Sequence, residues 1–342
     1  MKSRTPLVVA ITGASSGIGR ATARRFAVQR AHVALLARGS EGLAATAREV
    51  AALGGRALAL PVDVADAEQV NAAVLRIERD LGPIDIWINN ASTTVFGRAD
   101  QLSSDELRRV TDVAYHGYVF CTLAALRAMR TRDRGTIVQV GSAHAYRARP
   151  LQAAHCAAKH AVRAFTDALR SELRHDNVHV RLTQVHLPAV NTPQFRYAEN
   201  KLGVEAQPVP PIYQPELAAE AVHFAATHQR REVWVGASTI MNILGHKLVP
   251  GLVDRYLART VFDHQSPAIV RDPKHSSLWQ PVPGDHGAHG PYEFRARQRD
   301  PLARLATWLG APAVQAIGAV TAVAGVAAAT LGAAALFRRL RV

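Results

Sequence analysis

The sequence predicts an α/β protein built on a doubly wound, parallel, seven-stranded sheet. Three observations carry that expectation. Residues 7 to 236 alternate short apolar runs with helical patterns. The runs are apolar throughout rather than every second residue, as in strands whose two faces are both covered by helices. The first run passes into the first helix through a glycine-rich turn, Thr12-Gly13-Ala14-Ser15-Ser16-Gly17-Ile18-Gly19.

In chain order the expected strands are Leu7–Ile11, His32–Ala37, Ala57–Val62, Ile84–Ile88, Thr136–Val140, Val178–Leu187 and Glu232–Val235. Helical patterns fill the gaps at Arg20–Gln29, Ser40–Leu53, Ala67–Leu81, Ser103–Arg130, Ala153–His175 and Pro215–His228. Ligand is expected at the carboxyl ends of the strands, where the connecting loops converge.

The glycine turn is the first candidate site. Gly13 allows a sharp turn, Gly17 a close approach of backbone to a phosphate, and Gly19 close packing of helix on strand. A helix N-terminus then offers free N–H groups and the positive end of its dipole. The spacing is G-x-x-x-G-x-G, with Ser15, Ser16 and Ile18 between the glycines. At this point the chain resembles the short-chain dehydrogenase/reductase family, whose cofactor loop reads TGxxxGxG. The resemblance implies a Rossmann-like fold, a nicotinamide dinucleotide and hydride transfer at a carbonyl or secondary alcohol.

Further motifs fall where the strand count requires them. The second strand ends Leu36-Ala37-Arg38, with no acidic residue to accept a ribose hydroxyl. Arg38 can pair a 2′-phosphate, so NADP is expected over NAD; the alternative is a surface arginine at a helix start. The resemblance makes Asp63 an adenine contact after the third strand. It also places Asn90, in Asn89-Asn90-Ala91, on the adenosine side of the cofactor and as a brace of the sheet. Leu187-Pro188-Ala189-Val190-Asn191-Thr192-Pro193 is similar to the family's PGxVxT loop, with Ala189 in place of the glycine. By that likeness the Val190 backbone meets the carboxamide and Thr192 the cofactor phosphates or amide. The following run to Tyr213 would cap a substrate pocket, which Phe195, Tyr197, Leu202 and Ile212 could line.

The family's catalytic order is Ser, twelve residues, Tyr, three residues, Lys. Here it reads Ser142, His155, Lys159, so histidine stands where tyrosine is expected. Positions 155 and 159 are i and i+4 on one helix and share a face. A second departure is Ala114, in Asp112-Val113-Ala114-Tyr115-His116-Gly117, where the family has an asparagine of the proton relay. Three readings of position 155 stay open. His155 acts as the acid/base; the chain binds cofactor with weak or no turnover; or another group such as Tyr146 or Tyr115 supplies the proton. A variant Tyr→His change is a further explanation. A nearby Lys159 ammonium would lower the imidazole below its usual ~6.5 and keep it neutral.

The net charge is +14 and hydrophobic residues make up 48% of the chain. The arginines are scattered rather than gathered with aromatics, which argues against nucleic acid as a partner. Arginine and alanine abundance suggests a bacterial source. Cys121 and Cys156 lie in expected helices without metal-site neighbours, as in a reducing compartment. The expected organisation is a sheet domain over 1–240, an irregular extension over 241–311 with a helix near Asn242–Arg259, and a hydrophobic helix over 312–337. In the extension, His275, His286 and His289 beside Asp285 lack a clear third ligand, and no metal is expected. Residues 312–337 carry no charge and are followed by Arg338, Arg339 and Arg341. At ~20 residues or more they suit a single C-terminal membrane anchor with the enzyme on the cytoplasmic face. The alternatives are a buried alanine-rich helix or a contact between copies of the chain. The expected function is an NADP-dependent oxidoreductase acting on a small molecule, a lipophilic one being suggested by the C-terminal segment; the alternative is a cofactor-binding protein with a sensor or assembly role.

Overall fold

The computed structural model describes residues 5–265 and 276–299. Among the described residues twelve strands occur in chain order. They are β1 (Val8–Thr12), β2 (His32–Ala37), β3 (Arg56–Pro61), β4 (Ile86–Asn89), β5 (Val95–Phe96), β6 (Thr136–Ser142), β7 (Arg181–Leu187), β8 (Ala189–Val190), β9 (Glu199–Asn200), β10 (Ile212–Tyr213), β11 (Glu232–Trp234) and β12 (Ala296–Arg297). The helices are α1 (Gly17–Ala27), α2 (Ser40–Ala52), α3 (Ala67–Asp80), α4 (Ser104–Thr111), α5 (Gly117–Arg130), α6 (Ala153–His175), α7 (Gln194–Tyr197), α8 (Pro215–Thr227), α9 (Ala237–Leu248) and α10 (Pro250–Gln265).

Seven strands form one parallel sheet in the order β11-β7-β6-β4-β1-β2-β3. The order reverses between β1 and β4, and the crevice at their carboxyl ends is the expected ligand position. Alternate strand residues feed two cores. Val9, Ile11, Val33, Leu35, Val138 and Val185 pack under α1, α2 and α8, through Phe26, Leu43 and Val222 among others. Val8, Ala10, Ala34, Leu36, Trp87 and Ile137 pack against α3, α5 and α6, through Ile77, Met129 and Leu169 among others. The sheet is thus the middle of three layers, which is why its strands read as apolar throughout.

Three local expectations change. β3 lies at the sheet edge and alternates between half-buried and exposed residues, so it is not covered on both faces. The expected helix Ser103–Arg130 is interrupted by a π turn at Asp112–His116, which holds Ala114 fully buried. Beyond the sheet, the helix expected near Asn242–Arg259 is two helices, because Pro250 cannot continue α9 and instead opens α10. The hydrophobic segment 312–337 lies outside the described residues. No described helix is long and apolar enough to cross a membrane.

Asn89, the first residue of the Asn-Asn-Ala motif, closes a buried polar network. It accepts from Trp87 Nε1 at 2.8 Å and donates to Thr122 Oγ1 and Gln139 Oε1, both at 2.9 Å. This ties β4, α5 and β6 together beneath the crevice, with each buried polar group satisfied by another.

Residues 276–299 return across the sheet's carboxyl edge. β12 pairs with β10, which pairs with β8, so this segment joins the loop that follows β7.

Candidate active site

The glycine turn sits at the carboxyl end of β1. Gly13 has φ +66°, and a Cβ there would lie 2.8 Å from Ala91 Cα. A Cβ on Gly19 would lie 2.2 Å from the Gly13 carbonyl oxygen, so any side chain would force α1 off the turn. Asn90 Nδ2 donates to the carbonyls of Thr12 at 3.0 Å and Gly13 at 3.2 Å, bracing the turn against β4. Ser16 caps α1 without a side-chain bond to the helix, and its hydroxyl meets Tyr197 Oη at 3.0 Å.

A cavity of about 330 Å³ runs from this turn to the start of α6. Its lining brings together Gly13, Ser15, Ser16, Gly17, Ile18, Arg38, Asp63, Asn90, Ser142, His155, Lys159, Val190 and Thr192. Of the expected catalytic and cofactor-binding residues, Gly19 stays out of it, as a packing residue beneath the turn. Phe195 and Tyr197 also line the cavity. Leu202 instead packs beside Phe96, and Ile212 is buried in β10.

At the α6 end, Lys159 is fully enclosed. Its Nζ donates to Tyr118 Oη at 2.9 Å and to the Val140 carbonyl at 3.0 Å, and Tyr118 donates to the same carbonyl at 2.9 Å. Burial with no carboxylate beside it lowers the Lys159 ammonium to about 7. Burial first, and the Lys159 charge second, push His155 down to about 3. Its imidazole is neutral at ordinary pH, and its Nδ1 is buried without a hydrogen-bond partner. Ser142 Oγ accepts from the His144 backbone N–H at 3.2 Å.

Three residues beside this group were not among the expected ones. His144 stands edge-on to His155 with ring centroids 6.0 Å apart, is held neutral by burial and by its neighbours' charges, and leaves Nδ1 unpartnered. Arg149 and Gln152 complete the lining, and burial lowers the Arg149 guanidinium to about 10. His144 could have been suspected from its place two residues beyond Ser142. Arg149 had nothing to distinguish it from the other arginines. Tyr146 and Tyr115 do not line the cavity. Tyr146 donates its hydroxyl to the buried Glu232 carboxylate on β11, and the Tyr115 ring lies tilted against His116 in the π turn.

At the other end the expected adenosine contacts are already engaged. Arg38 donates to the carbonyls of Ser277, of Leu278 (3.3 Å) and of Trp279 (3.0 Å). Asp63 accepts from Arg109 Nη2 at 2.6 Å, and Arg109 Nε donates to Leu278 O at 3.1 Å. Burial, and then the charge of Arg109, lower the Arg38 guanidinium. The Gly17 N–H donates to Gly287 O at 3.1 Å. Asp285 pairs with Arg20, His289 with Glu216 at 3.0 Å, and the His286 ring lies tilted against Tyr197. These side chains go to separate partners, and His275 lies outside the described residues. Among the described residues no three metal-ligating side chains converge.

The turn, the strand-end loops and the α6 pair have the order and placement of a dinucleotide enzyme, and comparison with known proteins agrees. The family model for short chain dehydrogenases matches residues 7–202. The uncharacterized oxidoreductase YxnA of Bacillus subtilis is 32% identical over 281 residues, covering 81% of this chain and 78% of that protein. The ketoacyl reductase HetN of a Nostoc species is 30% identical over 244 residues, covering 71% of this chain and 83% of that protein. A metagenomic short-chain oxidoreductase solved with NADP superposes with a TM-score of 0.57 at 27% identity, over 67% of this chain and 96% of its own. A short-chain dehydrogenase from Streptomyces avermitilis gives a TM-score of 0.63 at 25% identity, over 74% and 97%. With its seven-stranded sheet, its glycine turn and these relatives, the chain belongs to the short-chain dehydrogenase family of oxidoreductases.

Proposed function

We propose that the chain is an NADP-dependent oxidoreductase that interconverts a carbonyl group and a secondary alcohol. The observation that carries this reading is that Ser142, His155 and Lys159 line one cavity with the glycine turn. In this reading Gly13, Ser15, Ser16, Gly17 and Ile18 hold the pyrophosphate and adjoining ribose. Asp63 and Asn90 face the adenosine, Arg38 the 2′-phosphate, Val190 and Thr192 the carboxamide and phosphates, and Lys159 the nicotinamide ribose. The positive φ of Gly13, the crowding above it and a first turn of α1 that carries no side-chain cap suit such a group. The bound nicotinamide supplies the hydride.

The chain's own residues then handle the oxygen. Ser142 Oγ orients it, and neutral His155 donates one N–H to it. With a value of about 3, His155 has no proton of its own to release near neutrality. Lys159 Nζ, at about 7, holds the proton that the reduced oxygen takes up. The same His155 value favours a second reading, a cofactor-binding member with little turnover and a sensor or assembly role.

Full-length protein with NADPH at about 100 times its Kd should gain about 2.7 kcal/mol of stability and melt roughly 4 °C higher. No shift with NADPH or NADH would remove the reading at its base.

The uncharged stretch 312–337, with arginines after it, supports a single C-terminal anchor that holds the sheet at the cytoplasmic face of a membrane. Exposed Met241, Leu248, Leu252 and Tyr256 on α9 and α10 suit the same surface. Full-length protein should sediment with membranes, and a chain ending at residue 311 should not. Equal behaviour of the two would count against the anchor.

A further inference from the structure

The segment 276–290 crosses the dinucleotide crevice from the end of β2 to the start of α1. Four separate contacts hold it there. The Leu278 side chain is fully buried among Val95, Val110, Ala154 and Leu102. The Ser277 N–H donates to Tyr197 O at 2.8 Å. Asp285 pairs with the buried Arg20, which also holds Glu49. Gly290 packs so closely on the loop after β8 that a Cβ there would lie 2.5 Å from Thr192 O. Ser277, Pro281, Val282, Gly284 and His286 form the roof of the cavity.

The chemistry at its outer end is specific. Three successive carbonyl oxygens, of Ser277, Leu278 and Trp279, converge on one guanidinium, Arg38. The middle one is shared with a second guanidinium, Arg109. Arg109 already has the Asp63 carboxylate, whereas the acceptors of Arg38 are partial charges, which a phosphate group replaces with full charge and bidentate geometry. Carbonyls and phosphate cannot occupy the same N–H groups together.

We propose that residues 276–290 are a lid whose carbonyls at Ser277, Leu278 and Trp279 compete with the ribose 2′-phosphate for Arg38, so that NADP opens the outer end of the lid and NAD leaves it shut. The proposal rests on the dinucleotide reading above and adds to it a cost at Arg38 that falls on one cofactor alone. The lid lowers the apparent affinity for NADP by the fraction of molecules in which Arg38 is engaged. NAD, lacking the phosphate, has no stake in the Arg38 contacts; the Gly287 carbonyl on the Gly17 N–H, at the inner end, faces the pyrophosphate of either cofactor and so does not discriminate. Cofactor preference is then set by how firmly Leu278 is anchored as well as by Arg38 itself.

The test uses full-length protein and both reduced cofactors. Leu278→Ala loosens the anchor without touching Arg38 or the glycine turn. It should tighten NADPH binding about tenfold and leave NADH within about twofold. In the unaltered protein, saturating NADPH should speed amide hydrogen exchange over residues 277–282 about tenfold, and NADH should not. This second measurement stands even where Leu278→Ala impairs folding. If Leu278→Ala weakens both cofactors alike, or both slow exchange over 277–282, the segment is a roof that grips any dinucleotide and the competition is overturned. Failure of both cofactors to bind the unaltered protein would instead remove the dinucleotide reading, and the lid proposal with it.

Discussion

Replacing His155 with tyrosine should raise the rate of NADPH-dependent carbonyl reduction by about 10²–10⁴-fold, the usual worth of a positioned general acid. The site already holds the partners that the substitution needs. Ser142 and Lys159 line the same cavity, and residue 155 sits one helical turn before the lysine on the face turned into that cavity. What is lacking is a group that can release a proton. Burial and the Lys159 charge keep the imidazole neutral down to about 3, so it can donate a hydrogen bond but carries no proton to give up near pH 7. A phenol reaches further than an imidazole into the cavity, where its hydroxyl would be aided by the lysine charge. The measurement is NADPH consumption with simple aldehydes and ketones, alongside NADPH affinity, which should stay within about threefold. An unchanged or lower rate at unchanged affinity would give His155 a role of its own and defeat the expectation.

Lys159→Met should move activity and stability in opposite directions. Reduction should fall by about 10²-fold or more, since Nζ is the proton-holding atom of the proposed site. Stability should rise near pH 6. Burial lowers Lys159 from 10.5 to about 7, so between those values the unfolded chain binds more protons than the folded one. Stability of the unaltered protein therefore climbs with pH across that window, and the penalty of burying the ammonium is fully present below about 7. At ~1.4 kcal/mol per unit, the ceiling on that penalty is about 5 kcal/mol, and the lost bonds to Tyr118 and Val140 bring the expected gain to about 2–3 kcal/mol. Tyr118 still donates to the Val140 carbonyl, so the substitution leaves that acceptor satisfied. Denaturant unfolding at pH 6 and pH 10 checks both the gain and its disappearance. A less stable Lys159→Met protein at pH 6 would show that the ammonium is not under strain. In the unaltered enzyme, reduction should fall as pH rises through about 7, following Lys159 rather than His155.

Most of the sheet was legible because strands buried on both faces are dominated by apolar residues, with few polar ones such as Gln139 and His186 among them. The runs around Val9, Leu35, Ile88, Val138 and Val185 all became neighbours in the expected sheet. β3 misled because Ala57 and Leu58 read as buried wherever they are placed, and only the strand order puts them at an edge. Pro250 gave fair notice that one expected helix would be two. The π turn at Asp112–His116 gave none, since no glycine or proline lies within it. At the site, the strand-end residues Gly13, Arg38, Asp63, Asn90, Ser142 and Val190 line one cavity, because loop position follows from strand count. The contacts around Arg38 were hidden for a different reason. Their acceptors are main-chain carbonyls of Ser277, Leu278 and Trp279, and a carbonyl is the same in every residue. Tyr118 was hidden by distance, 41 positions before the lysine it holds.

The pairing of Arg20 with Asp285 spans 265 positions, nearly the full described chain. On a ribosome, the glycine turn emerges among the first segments, and its cover emerges among the last. The sheet and both its cores need nothing beyond β11 and can close first, as contacts of shorter reach do. Each new molecule therefore passes through an interval in which the crevice is built but uncovered, so the earliest cofactor to arrive meets an Arg38 with no competitor.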